Sequence, residues 1–137
     1  MSKVAVDLIG KGSVTEYLSE GDVRALVSRA FEQVDLDGKR VLVIIPDSTR
    51  TVPLSLFFRL FHDSLWGRVA TLDYLVALGT HQPMSEKALS RLVGITEEER
   101  TTTYAGVKLM NHRWDLPDTL VTVGTIAETE MAELSRG

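Results

Sequence analysis

Two short polar stretches, each at the end of an apolar run, hold the residue types that could do chemistry. Val41-Leu42-Val43-Ile44-Ile45-Pro46 leads into Asp47-Ser48-Thr49-Arg50, and Leu78 leads into Gly79-Thr80-His81-Gln82-Pro83. The planar guanidinium of Arg50 matches a carboxylate or phosphate two bonds at a time; its alternative use is an ion pair with Asp47. Asp47, Thr49 and Thr51 also suit a turn in which the side chain bonds backbone N–H groups ahead of it. His81 follows a glycine at a strand exit, where a histidine is presented to solvent or ligand. Imidazole suits general acid–base work because its charge changes near neutral pH. The competing reading of His81 is a cap for the helix beginning near Ser85.

Other candidates carry less. His112 and Asp115, in Asn111-His112-Arg113-Trp114-Asp115, could be a base with its orienting acid, a partial metal site, or a turn brace with Trp114 covering the sheet. His62 sits among the apolar residues of a helix, where histidine is usually structural. Gly10-x-Gly12 suggests a dinucleotide fingerprint, but the third glycine would fall at Thr15 and no helical pattern starts there. No H-E-x-x-H, nucleophile elbow or P-loop is present.

The elements that must position these groups alternate. Val4–Ile9 and Val14–Leu18, around Gly10-Lys11-Gly12-Ser13, predict a β-hairpin. Ser19 begins a helix, with Asp22 as its capping-box partner and an apolar face from Val23 to Val34. Val41–Ile45 is apolar on both faces, as in a parallel sheet covered by helices. Pro53 fits the first position of a helix whose core face is Leu54, Phe57, Phe58, Phe61 and Leu65. Val69–Leu78 reads as a strand, Ser85–Val93 as a short helix, and Thr96-x-x-Glu99 as a capping box for another. Val107–His112 and Leu120–Val123 read as further strands, and Thr125-x-x-Glu128 as the cap of a final helix. Strands separated by helices imply a mostly parallel, Rossmann-like α/β sheet flanked by helices, here with the opening hairpin. Ligands bind such sheets outside the carboxyl ends of the strands. Those ends are Asp47–Arg50, Gly79–Pro83 and Val123-Gly124-Thr125.

Composition bounds the rest. A chain of 137 residues, 44% hydrophobic and 25% charged, fits one globular α/β domain. A net charge of −4 argues against a nucleic-acid partner. With no cysteine there are neither disulfides nor thiolate metal sites. No apolar run approaches the roughly 20 residues of a membrane span, and the expected location is cytoplasmic.

Taken together, Asp47-Ser48-Thr49-Arg50-Thr51-Val52-Pro53 and Ala77-Leu78-Gly79-Thr80-His81-Gln82-Pro83-Met84-Ser85 resemble the amino-terminal domain of the nickel-dependent lactate racemase family. The family pattern is an Asp-x-Thr-Arg-x-x-Pro loop followed by a Gly-x-His-x-Pro loop. The Asn111-His112 segment, Gly124-Thr125 and the opening glycine turn also fit. The resemblance implies two α/β domains with the active site between them. It implies a nickel pincer nucleotide joined to a lysine, which takes the α-hydrogen as hydride while a histidine removes the hydroxyl proton. By position, His81 would be one acid–base histidine and Arg50 would hold the substrate carboxylate. Asp47 and Thr49 would support the cofactor, and His112 would belong to the motif without a catalytic role. The family's anchoring lysine, nickel-ligating histidine and second acid–base histidine lie in a glycine-rich segment that this sequence lacks. Residues 1–137 are therefore expected to be the amino-terminal half of a two-domain 2-hydroxy acid racemase. The cofactor would be bound mainly by the absent carboxy-terminal domain, no metal site would lie within this chain, and the chain alone would be inactive. The alternative is a non-catalytic anion- or nucleotide-binding α/β module.

Overall fold

The computed structural model describes residues 8–136. Its elements run α1 (Glu20–Glu32), β1 (Arg40–Pro46), α2 (Leu54–Leu65), β2 (Thr71–Ala77), α3 (Glu86–Leu92), α4 (Glu97–Thr101), β3 (Lys108–Asn111) and α5 (Glu128–Ser135). Three of the helix starts are fixed by local hydrogen bonds, two of them the capping boxes that the sequence predicts. Ser19 and Asp22 form a reciprocal capping box on α1, Ser85 Oγ accepts from the Ala88 amide, and Thr96 and Glu99 form a second box on α4. Pro53 stands one position earlier than expected, as the N-cap of α2.

The three strands form one parallel sheet in the order β1-β2-β3. In its register Val43, Tyr74 and Leu109 lie side by side, as do Val41 with Leu72 and Ile45 with Val76. Side chains alternate across a strand, so these residues share one face. That face carries the core, with Leu54, Phe58 and Leu65 of α2 and Leu89 of α3 packed against it and Phe31 of α1 at its margin. Phe58 sits between Tyr74 and Tyr104, ring centroids 4.9 Å from each. The opposite face is open among the described residues: Leu42 and Ile44 are 51% and 67% exposed. The expectation that helices cover both faces of β1 is thus met on one face only.

Further expectations fail among the described residues. The second strand of the expected hairpin, Val14–Leu18, is absent, since no strand occurs over residues 8–19; Val4–Asp7 of the first lie outside the described residues. Ser13 Oγ instead accepts from the amides of Thr15 and Glu16, a local turn that competes with strand pairing. Val14 and Tyr17 are fully exposed, so no burial rewards a second strand. Leu120–Val123 is likewise not a strand; Val121 and Val123 project into solvent, and among the described residues no neighbouring strand supplies hydrogen bonds. The third strand end, Gly124-Thr125, therefore does not reach the sheet. Thr125 does not cap α5, whose N-cap is Ala127 with no side-chain bond.

Candidate functional site

Register brings the two polar loops together. Pro46 pairs with Ala77 at the carboxyl ends of β1 and β2, and neighbouring strands lie about 4.8 Å apart. Asp47 and Leu78 therefore leave the sheet side by side. The second loop turns back at once: the His81 amide donates to the Leu78 carbonyl at 2.9 Å, and Gly79 takes φ +59°. That left-handed conformation is strained for a residue with a Cβ. The turn delivers the His81 imidazole onto Asp47.

The contacts at Asp47 define a charge and a tautomer. Its carboxylate Oδ1 accepts from the Thr49 amide at 3.0 Å and the Thr49 hydroxyl at 2.6 Å. Oδ2 is bonded to Nδ1 of His81. The His81 contact first, then the two Thr49 bonds, hold the carboxyl down to about 2. It is ionised at neutral pH and can only accept, so Nδ1 of His81 must carry the proton. In the neutral ring Nε2 is then the proton acceptor, and it has no partner among the described residues. The Asp47 side chain is 9% exposed and the imidazole 58%. A nearly buried carboxylate thus orients an imidazole that faces solvent, as in a base-and-orienter pair.

Arg50 closes a turn with its amide on the Asp47 carbonyl at 3.3 Å. The ion pair with Asp47 does not form, because both carboxylate oxygens are taken by Thr49 and His81. Asp47, Thr49, Arg50 and His81 all line one cavity of about 410 Å³, whose rim also includes Gly79 and Thr80. A guanidinium and an imidazole thus share one cavity.

Other predicted residues fall elsewhere. His112 continues the β3 ladder, its amide donating to the Val76 carbonyl at 3.0 Å. Asp115 pairs not with His112 but with Arg113, through two bonds of 2.8 Å. His62 is buried, stacked on Trp66 and edge-on to Tyr104. Burial lowers its pKa, and it lines neither cavity to which Arg50 belongs.

Two positioning residues escaped the sequence reading. Trp114 Nε1 donates to the His81 carbonyl at 2.9 Å. Asn111 clamps the far end of the same loop: its Nδ2 donates to the Met84 carbonyl at 2.8 Å, and its Oδ1 accepts from the Met84 amide at 2.9 Å. Asn111 ends β3 and Trp114 lies in the segment that follows; the sequence predicts a strand and a turn with Trp114 covering the sheet, and nothing in the spacing signals a grip on the histidine loop.

The lactate racemase N-terminal domain family matches residues 15–136. The chain belongs to that family. A crystal structure of a protein from Thermotoga maritima superposes with a TM-score of 0.71 at 30% sequence identity. The match covers 88% of this chain but 27% of that one, so this chain spans about a quarter of the length of its structural relative. No curated protein matches the chain. A lysine-linked nickel pincer nucleotide would need a lysine and a ligand set at the site. No lysine lines the cavity, and among the described residues no three His, Cys, Asp or Glu side chains gather around one point. The residues present do not fit as an anchor for that cofactor. No helix among the described residues is long and apolar enough to cross a membrane.

Proposed function

We propose that this domain supplies the carboxylate-binding and proton-transfer side of a 2-hydroxy acid racemase or epimerase site. The observation that carries the reading is the Asp47–His81 pair on the same cavity as Arg50. Arg50 holds the substrate carboxylate by a two-point contact. His81 Nε2 takes the proton of the substrate hydroxyl, and the imidazolium so formed is stabilised by the Asp47 carboxylate. On return the same nitrogen gives the proton back. Thr49 fixes Asp47 and has hydroxyl lone pairs to offer a ligand polar group. None of the described residues accepts the α-hydrogen; the nickel pincer nucleotide to which the family resemblance points would supply that hydride chemistry if held, together with the second acid–base group, by residues outside this chain. The length of the Thermotoga maritima relative is consistent with such a further part.

The test is a titration of the ¹⁵N-labelled chain with lactate, followed by NMR. Amide shifts are expected in residues 47–51 and 79–83, and Arg50→Gln should abolish them. Shifts confined to other regions, or unaltered by Arg50→Gln, would overturn the assignment. The chain alone is expected not to interconvert the lactate enantiomers; turnover without added protein would refute the division of the site.

A further inference from the structure

Arg50 borders two cavities. Besides the one it shares with His81, it lines a second of about 400 Å³ together with Ser48, Val52, Met84, Arg91 and Leu92. This volume lies at the lower end of the roughly 300–1,000 Å³ of small-molecule pockets. No carboxylate is among the residues lining it. Arg24, Arg59, Arg68 and Arg113 each pair with an Asp or Glu, whereas Arg50 and Arg91 take part in no ion pair among the described residues. In a chain of net charge −4, the cavity is a local concentration of unneutralised positive charge. Two like charges on one small cavity repel, and an anion between them converts the repulsion into two attractions.

The second cavity is also amphipathic. Val52, Met84 and Leu92 give it an apolar wall, with Arg50 and Arg91 as its charged residues. A single small anion would leave that wall unused. A ligand with an acidic group at each end and methylene carbon between uses all of it.

We propose that the substrate is a dianion: a 2-hydroxy acid with a second carboxylate, the first held by Arg50 and the second by Arg91. This rests on the assignment of Arg50 to the substrate carboxylate above. Arg91, on α3, lines the second cavity and not the one containing His81. It therefore selects the substrate and takes no part in proton transfer.

The experiment compares malate, lactate and inorganic phosphate as probes of the ¹⁵N-labelled chain at fixed ionic strength. Wild type, Arg91→Gln and Arg50→Gln are titrated. Arg91 is exposed, and thermal melting of the variant confirms that it folds. The expected result is binding of malate about tenfold tighter than lactate, the scale of one added charge-assisted hydrogen bond. Malate should shift residues 48–52, His81 and α3 together. Arg91→Gln should bring malate down to the affinity of lactate and leave lactate unchanged. Equal binding of malate and lactate by wild type, with lactate still dependent on Arg50, overturns the dianion and leaves the proposed function standing. An equal loss of both ligands in Arg91→Gln also overturns it. Phosphate that shifts α3 and displaces malate without any change at His81 would make the cavity a separate anion site, overturning the bridging substrate. Failure of both hydroxy acids to shift His81 sinks the inference and the proposed function together.

Discussion

Replacing Asn111 by alanine tests whether the histidine loop is held from β3. Asn111 is half-buried and makes two hydrogen bonds to the backbone of Met84, at 2.8 and 2.9 Å. A hydrogen bond of this kind contributes about 0.5–1.5 kcal/mol net, and an abandoned buried partner costs more. Partial exposure lets water reach the vacated groups, so the loss should be about 2 kcal/mol. Unfolding entropy scales with chain length at about 2.1 cal/mol/K per residue. For 137 residues the expected fall in Tm is about 7 °C. Thermal melting and urea unfolding measure the loss, and hydrogen exchange localises it: the Met84 amide should lose protection while amides within β1 and β2 keep theirs. Asn111→Asp keeps an acceptor for the Met84 amide but sets a charge against the Met84 carbonyl, so it should not restore stability. A change in Tm below about 2 °C, or an aspartate variant as stable as wild type, would refute the clamp.

Two further predictions concern protons. Asp47→Asn keeps its oxygen on the Thr49 amide and hydroxyl and so sets its N–H₂ against His81 Nδ1; the imidazole proton should move to Nε2, read from ring ¹⁵N shifts, and an unchanged tautomer would count against the dyad. Stability should fall in two acid windows. His62 has a lowered pKa from burial, so the unfolded chain takes up its proton more readily, and stability declines as pH drops below about 6.5; His62→Phe should remove that phase in urea unfolding. The Asp47 carboxyl is lowered from 3.8 to about 2, so its contribution is complete above about pH 4 and is lost as pH falls toward 2. A loss of equal size in Asp47→Asn over that second window would contradict the assignment.

The helix caps show what a one-dimensional reading can reach. Ser19, Ser85 and Thr96 each bond an amide three residues ahead, so both partners lie within a single turn of chain and the residue types announce them. The alternation of strand and helix, and the two polar loops at strand exits, were legible for a similar reason, since apolar periodicity is local. The Leu120–Val123 strand failed because a strand needs a neighbour for its backbone bonds, and whether one is available is not written in the segment itself. The Val14–Leu18 strand failed where the Ser13 hydroxyl offered the backbone a nearer partner.

The sequence by itself determined the inventory of this site: an acid, a hydroxyl, a guanidinium and an imidazole, placed on two loops that follow apolar strands. Only the tertiary structure decided how they are joined. The pairing of Pro46 with Ala77 makes Asp47 the partner of His81 rather than of Arg50, and so leaves the guanidinium free to border both cavities. The grip of Asn111 and Trp114 on the histidine loop has the same origin. The physical reason is that a side-chain hydrogen bond forms between groups within about 3 Å. Between residues 27 to 34 positions apart, that distance is set by the register of the sheet, a cooperative property of the packed chain.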